Sequence, residues 1–320
     1  MIYACYNKNV NVRMNSSSGG VYYAVAENVI NNGGIVYAAV YEGFDVMHKR
    51  FDSIQHLGNS CGSKYVQSKL SDCFCNIKKD LLEGREVLFV GTPCECFGLK
   101  TFLIDDYCNL LTIDFVCHGV PSKKVLNRYL VEQGYTQPVD IINMRDKSSG
   151  WSKYMYSWSL KNNEKEVVIP QSEIAFMKGF TSDLYLRPSC YECHFKGIQR
   201  KTDITLGDYW GVWDIQPDMD DNKGTTLVII HSRKGKSVFD TVAYNFIYSE
   251  VVDFEKALSY NPSIVKCAAK NTNRDKFFER LNLGENEESI INGLLGERKQ
   301  SLLMYKFKNC MKKLLTKHSD

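Results

Sequence analysis

The chain has 320 residues, 44% of them hydrophobic, 24% charged and 12% aromatic, which is typical of a globular protein and excludes a disordered or fibrous one. Its formal net charge of +3, from 40 basic and 37 acidic side chains, is too balanced for a nucleic-acid-binding protein with a dominant basic surface. The longest apolar runs are far shorter than the roughly 20 residues of a membrane-spanning helix, and the N-terminus becomes polar too early for a signal peptide, so we expect a cytoplasmic protein.

The first elements follow the order strand, glycine turn, helix, strand. The pattern predicts a strand at 2–6, a helix at 21–30 and a strand at 35–40. The turn before the helix has the sequence Ser16-Ser17-Ser18-Gly19-Gly20. Glycine lets the backbone approach a ligand closely, and the first N–H groups of a helix favour an anion such as phosphate. A simple serine cap on the helix is the alternative interpretation.

Two further strand–helix units each place a cysteine after the strand. A buried strand at 86–90 leads into Gly91-Thr92-Pro93-Cys94 and a helix at 95–103. A second buried strand at 110–116 leads into Cys117-His118-Gly119 and a helix at 121–132. If both strands are parallel in one sheet, the two thiols lie at its carboxyl edge, where open α/β sheets bind ligands. The neighbouring His118 could donate a proton or could hydrogen-bond its own turn.

The second half of the chain mixes strands and helices around a Cys190-x-x-Cys193 motif. The pattern predicts antiparallel strands at 153–160 and 166–169 and a helix at 172–178 before the motif. After it we expect strands at 203–206 and 225–231, a helix at 236–247, and helices from 271 to the end. Within residues 297–320 there are seven Lys or Arg and two acidic side chains, so the end of the chain is locally basic.

The twelve cysteines suggest metal or redox chemistry, because cytosolic thiols rarely serve as structural disulfides. A Cys-x-x-Cys pair can be half of a zinc site, a dithiol redox pair or part of an iron–sulfur site. Dithiol pairs start a helix after a strand, whereas this pair follows a proline-containing loop. Together with Cys94 and Cys117, the pair gives four thiols that suit either zinc or a [4Fe–4S] cluster. Cys96 could compete as a ligand, and the remaining cysteines are expected to be buried apolar or incidental residues: Cys5, Cys61, Cys73, Cys75, Cys108, Cys267 and Cys310.

These motifs, in this order, resemble the beta subunit family of coenzyme F420 hydrogenase/dehydrogenase. The resemblance extends from about Tyr3 to about Pro262. It is carried by Ser16 to Gly20, Gly62 to Ser68, Gly91 to Cys94, Cys117 to Ser122, Arg145 to Lys147, Gly150 and Trp151, Arg187 to Cys193, and Asp203 to Gly211.

The resemblance implies a flavin- and iron–sulfur-dependent oxidoreductase. It implies FAD as the flavin and a [4Fe–4S] cluster held by Cys94, Cys117, Cys190 and Cys193. The substrate would be a deazaflavin such as coenzyme F420 or an intermediate of polysaccharide biosynthesis. His118 and Asp208 are candidates for polar or proton-transfer roles. The candidates for flavin binding are Ser17, Ser18, Gly19, Gly20, Gly62, Ser63, Lys64, Tyr65 and Thr92.

The chain also departs from the family pattern. Many members carry a ferredoxin-like segment before the equivalent of Tyr3, so we expect electrons to come here from a separate ferredoxin or another donor protein. Glu95-Cys96-Phe97 replaces the more usual Gln-Ile-Ala, and Ser60-Cys61 stands where an arginine is common. Two alternatives remain: a non-catalytic scaffold with a four-cysteine zinc site, and an accessory electron-relay subunit. The basic tail could pack on its own domain or dock to an acidic partner or a membrane surface.

The predicted fold is α/β with α+β character, a central mixed sheet with flanking helices, cysteine-rich cluster-binding loops and a helical C-terminal tail. We expect an N-terminal family-like region at 1–82, a C-terminal family-like region with the cluster cysteines at 83–262, and a helical basic tail at 263–320.

Overall fold

The computed structural model describes residues 1–135, 141–162 and 165–296. The strands are β1 (Ile2–Asn7), β2 (Ile35–Glu42), β3 (Asp45–Phe51), β4 (Val87–Gly91), β5 (Leu110–Phe115), β6 (Ile141–Asp146), β7 (Ser157–Asn162), β8 (Lys165–Pro170), β9 (Ile204–Asp208), β10 (Thr226–Ile230) and β11 (Phe246–Glu250). The helices are α1 (Val10–Asn15), α2 (Val21–Asn31), α3 (Cys73–Leu82), α4 (Pro93–Leu103), α5 (Lys123–Glu132), α6 (Ala175–Thr181), α7 (Pro188–Tyr191), α8 (Val212–Ile215), α9 (Arg233–Val242), α10 (Phe254–Tyr260), α11 (Arg274–Asn282) and α12 (Glu287–Leu295).

A mixed sheet forms the centre of the fold, with strand order β11-β1-β10-β9-β5-β4-β2-β3 within the described residues. Strands β2, β4, β5 and β9 are parallel neighbours. Strand β1 runs in the same direction as β9, because β10 pairs antiparallel with both. The carboxyl ends of β1, β4, β5 and β9 therefore meet at one edge of the sheet, as predicted for the two strands that precede Cys94 and Cys117.

Helices cover both faces of this sheet because its central strands are apolar on both sides. Val36 and Leu88 face the side that α2 covers, where Val25 and Val29 pack against them. Their chain neighbours point to the opposite face, because successive side chains of a strand alternate, and there they pack under α3 and α4. The predicted mixed sheet with flanking helices is confirmed.

A second layer is built around the antiparallel sheet β6-β7-β8. Its core joins Trp158 of β7 to Phe176 of α6 and Tyr185, and then to Phe277 of α11 and Ile290 of α12. The predicted helices after residue 271 are thus present as far as residue 295. The basic segment 297–320 lies outside the described residues, and the division into regions at 82 and 262 stays a prediction.

Two local predictions are wrong. The helix expected at 236–247 ends at Val242, and Phe246–Glu250 is instead an edge strand that pairs with β1 through the register Tyr6 to Ile247. Pro188, which the sequence placed in a loop before the Cys-x-x-Cys pair, is instead the first residue of the one-turn helix α7, which also contains Cys190. Proline is favoured at the first helical position because its missing N–H has no partner to lose there. No helix in the described ranges is long and apolar enough to cross a membrane.

Candidate functional site

A cavity of about 500 Å³ opens at the carboxyl edge of the large sheet, between the loops that follow β1, β4, β5 and β9. This volume lies in the usual range for small-molecule sites. The cavity collects most of the side chains that the sequence singled out, although they come from distant parts of the chain. Those that line it are Ser17, Ser18, Gly20, Gly62, Ser63, Lys64, Tyr65, Thr92, Cys117, His118 and Asp208.

The serine–glycine loop connects β1 to α2. Gly20 has φ +82°, a left-handed conformation that glycine adopts without strain, and α2 starts immediately after it. Among the described residues no side chain caps α2, so the alternative of a simple serine cap is not what this loop forms. The N-terminus of α2 consequently presents uncapped N–H groups beside the cavity.

Gly19 belongs to the same loop but packs against β1 and does not line the cavity. A Cβ atom at this position would lie 2.3 Å from the Cys5 carbonyl oxygen, so only glycine fits against β1. The Gly19 N–H donates to Thr226 Oγ1 at 2.8 Å, and the Ser18 hydroxyl donates to the Thr225 carbonyl at 2.6 Å. Gly19 is accordingly absent from the cavity wall formed by the described residues.

The loop containing Gly62 and Ser63 forms a second wall. The Ser63 hydroxyl donates to Ser17 Oγ at 2.8 Å and so joins the two predicted flavin-binding loops. The Lys64 ammonium donates to the carbonyls of Ser60, Cys61 and Gly62 at 2.9 to 3.0 Å. Burial lowers the pKa of Lys64 to about 8. The lysine therefore holds the shape of its own loop.

Arg145 is a central residue of the site that the sequence did not single out as a site residue. It is 3% exposed, and its Nη1 atom lies 2.7 Å from Asp208 Oδ2. Its Nη2 atom donates to the Ser17 carbonyl at 3.2 Å, so it links β9 to the serine–glycine loop. Burial is the largest single influence and acts to lower the pKa of Arg145, but Asp208, Tyr65 and Tyr156 together outweigh it and raise the pKa. Arg145 is thus a fixed cation, and its Nε atom has no hydrogen-bond partner among the described residues.

Aromatic side chains close the cavity beyond Arg145. The guanidinium group lies 4.1 Å from the ring centre of Tyr156. Trp210 stacks on Trp151 with ring centres 4.6 Å apart, and the Trp151 indole N–H donates to the Ser17 carbonyl at 3.1 Å. Tyr154, which has φ +64° and is 47% exposed, lies against Trp210 at 4.6 Å. A planar ring can stack on such a surface.

Two histidines line the cavity. His118 Nε2 lies 2.6 Å from Asp183 Oδ1, and its Nδ1 lies 3.3 Å from Ser263 Oγ. The second histidine, His48, lies on β3, a strand that the sequence pattern did not predict. The His48 ring bonds to Ser68 Oγ and to a strand carbonyl, and burial lowers its pKa. Of the two histidines, His118 is the more exposed, and the Asp183 carboxylate orients its ring.

The four predicted ligand cysteines gather on one side of this cavity. Burial raises the pKa of Cys117 to about 12, the nearby Lys196 lowers it, and the thiols of Cys94, Cys190 and Cys193 each raise it further. Such charge interactions require that the four lie in one region. The Val120 N–H donates to Cys190 Sγ at 3.4 Å. As they stand, no three His, Cys, Asp or Glu side chains of the described ranges are grouped closely enough to hold a metal ion.

The other cysteines of the described residues lie outside the four-thiol group, although one of them contacts it. Cys96 is fully buried with its thiol directed at the Gly91 and Ile113 carbonyls, so it is not part of the group. Cys267 was expected to be incidental, but its thiol donates to the Cys193 carbonyl at 3.3 Å. Cys5 and Cys73 are buried, Cys61 is half-buried, and Cys75 and Cys108 are exposed. Cys310 lies outside the described residues.

Comparison with known proteins identifies the family. Residues 84–255, more than half of the chain, match the family model that describes the C terminus of the coenzyme F420 hydrogenase/dehydrogenase beta subunit. The chain belongs to this beta subunit family. Membership confirms the resemblance and indicates an oxidoreductase role for this beta subunit relative.

A solved structure supports the fold. The chain matches one from the F420-reducing [NiFe] hydrogenase complex of Methanosarcina barkeri, studied by xenon derivatization, with a TM-score of 0.54 and 14% identity. The match covers 90% of this chain and 94% of the other. No curated protein matches the sequence. In the present chain, the family model matches the part that contains the four cysteines, His118, Arg145 and Asp208. The two glycine loops precede the matched residues.

Proposed function

We propose that this protein is an iron–sulfur flavoprotein oxidoreductase. FAD would occupy the cavity, a [4Fe–4S] cluster would be held by Cys94, Cys117, Cys190 and Cys193, and electrons would pass between a separate donor protein and an organic substrate in the cytoplasm. The observation that carries the proposal is the position of Cys117. It belongs both to the four-thiol group and to the cavity wall, so a cluster and a flavin would be neighbours.

The thiol group has the donor chemistry of a cluster site. Four thiols are the ligand number of a [4Fe–4S] cube, and hydrogen bonds to sulfur tune its potential. The Val120 N–H already donates to Cys190 Sγ, and the Lys196 ammonium donates to the Cys117 carbonyl. These groups would stabilise negative charge on the thiolates. Binding would require the thiols to close in around the cluster.

The cavity has the donors that a flavin pyrophosphate requires. The uncapped N-terminus of α2 lies beside the Ser17 and Ser63 hydroxyls, which can bind phosphate oxygens. When bound, a flavin would supply the conversion between single-electron and hydride transfer. Lys64 and Arg145 would act differently, because hydrogen bonds and an ion pair already hold them. They would keep the loops in place and provide fixed positive charge.

His118 is the residue placed to hold a proton near a substrate. Its Nε2 atom is engaged by Asp183, which orients the ring and leaves Nδ1 toward Ser263 and the cavity. Asp208 was predicted to have a polar or proton-transfer role. Because its carboxylate is paired with Arg145, we assign it to positioning that arginine.

We also propose a class of substrate and a partner protein. A deazaflavin of the F420 type and an intermediate of polysaccharide biosynthesis both contain rings that could stack on the aromatic wall at Tyr154. The solved relative is a chain of a hydrogenase complex, which supports a partner protein for this chain as well. A ferredoxin or another separate electron donor would fill that place.

The four-thiol group also suits zinc, so a structural zinc scaffold is the second candidate. Iron, zinc, sulfide and flavin contents after anaerobic purification separate the two. About four irons with matching sulfide per chain and one flavin support the oxidoreductase. One zinc and no flavin support the scaffold and refute the proposal.

Two single cysteine variants test the assignment of the cluster ligands. Cys190→Ser should lose most of the bound iron, whereas Cys108→Ser, at an exposed thiol outside the group, should keep it. Full iron and an unchanged visible spectrum in Cys190→Ser would refute the ligand assignment.

A further inference from the structure

An exposed apolar surface lies beside the four-thiol group, on the outside of the protein. Phe97 is 43% exposed, Ile198 39% and Val265 37%. We call these three residues, together with the exposed Lys201 and Lys266, the thiol-side patch. Large apolar side chains clustered at the surface mark interaction sites more often than single ones do.

The contacts of α4 join Phe97 to the thiols and to the segment after Cys193. Phe97 lies three residues after Cys94 on α4, and therefore on the same side of that helix. Its ring centre lies 5.2 Å from that of Phe195, and Lys201 Nζ lies 5.8 Å from it. One half of the patch thus lies on the same side of α4 as Cys94.

Three hydrogen bonds connect the chain segments around the other half of the patch. The Gly197 N–H donates to the Ile264 carbonyl at 2.8 Å, which places the chain neighbours Ile198 and Val265 on adjoining segments. The Arg200 guanidinium donates to the Phe115 carbonyl at 3.3 Å, at the end of β5. The Cys267 thiol donates to the Cys193 carbonyl at 3.3 Å. The segments that carry the patch are therefore adjacent to one another and to Cys193.

Two of the segments that carry the patch are basic, unlike the described part of the chain as a whole. Segments 194–201 and 262–270 contain five basic residues and no acidic residue. Over residues 1–296, by contrast, 33 basic and 35 acidic residues leave a net charge of −2. Lys196 and Arg200 are engaged by carbonyls and by Asp114, so the positive charge that faces solvent comes from Lys201, Lys266 and Lys270.

We propose that the thiol-side patch docks a small acidic electron-carrier protein. An apolar centre with a charged rim suits a transient interface, and opposite charges speed the encounter. The carrier would present carboxylates to Lys201 and Lys266 and its redox centre to the Cys94 side. One electron would move from the reduced carrier, which is oxidised, to the iron–sulfur centre, which is reduced, and no bond would form or break.

This inference rests on the proposed function and adds the surface at which electrons enter the protein. The organic substrate would use the cavity on one side of Cys117, and the carrier would use the patch on the other side. The two could then bind at the same time.

The test measures binding rather than turnover. The probe is an acidic bacterial ferredoxin in its oxidised form, titrated against the holoprotein by calorimetry at low ionic strength. The double variant Lys201→Glu/Lys266→Glu should weaken binding at least about tenfold, and added salt should weaken wild-type binding. The control with the same charge change is Lys49→Glu/Lys69→Glu, at exposed lysines of β3 and the segment beside it, which should change Kd less than about twofold.

Three outcomes overturn the inference. They are no binding to the wild type, equal binding by the iron-containing double variant, and equal weakening by the control. Iron and flavin contents, together with dithionite bleaching, are measured on each protein first. A wild type without iron refutes the proposed function, whereas unchanged binding in an iron-containing double variant refutes only the docking patch.

Discussion

Glu287 is a buried carboxyl group at the start of α12, and its removal makes a quantitative prediction. Its side chain is 0% exposed, and neither carboxyl oxygen has a hydrogen-bond partner among the described residues. The Glu287 N–H donates to Glu132 Oε2 at 2.7 Å. Arg128 lies 2.7 Å from the other oxygen of Glu132 and also donates to the carbonyls of Leu281 and Glu285. Burial and then the Glu132 charge raise the pKa of Glu287 from 4.5 to about 9.

The sign of the pH effect follows from this pKa. Between pH 4.5 and pH 9 the folded protein keeps the proton on Glu287, whereas the unfolded chain releases it. The unfolded state then binds fewer protons, so this residue lowers the free energy of unfolding as the pH rises, by at most about 1.4 kcal/mol per pH unit. Glu287→Gln carries no titratable proton and removes this loss. From pH 6 to pH 8 the variant should gain roughly 2 to 3 kcal/mol relative to wild type.

Thermal melting under anaerobic, reducing conditions measures the effect, because about 1 kcal/mol shifts the midpoint by roughly 2 °C in a chain of this size. The midpoint of Glu287→Gln should exceed that of wild type by several degrees more at pH 8 than at pH 6. Glu288→Gln is the matched control, because Glu288 is half-exposed and accepts a bond from Gln133. An equal difference between Glu287→Gln and wild type at both pH values would refute the reasoning.

Three further changes test the site. Gly19→Ala would place a methyl carbon 2.3 Å from the Cys5 carbonyl, so it should cost about 1 to 3 kcal/mol of stability and reduce bound flavin; normal melting with full flavin absorbance would contradict this. Asp208→Asn leaves the buried Arg145 cation without its counter-ion and should cost about 3 to 5 kcal/mol in denaturation, with partial recovery when Arg145→Met is added. Cys267→Ser should keep full iron, because this thiol donates to the Cys193 carbonyl and is not one of the four predicted ligands; loss of iron in a metal assay would make Cys267 a ligand.

Local patterns in the sequence were sufficient for the central strands and for the position of two thiols. The apolar runs of β4 and β5 are buried on both faces, and each is followed by a turn and a helix, so their parallel pairing was predictable. Parallel strands in one sheet end at the same edge, which brings Cys94 and Cys117 together. The same regularity made the helix α2 and its glycine loop predictable.

The sequence by itself determined which motifs this protein has and, through their resemblance to a family, the kind of chemistry to expect. The tertiary structure alone decided which side chains meet. Arg145 and Asp208 are separated by 63 residues, and Ser17 and Ser63 by 46, so no local pattern predicts their contacts. Strand β11 likewise exists through its pairing with β1, at the other end of the chain. Periodicity reports local burial, whereas ion pairs, strand partners and the neighbours of a thiol depend on how distant segments pack.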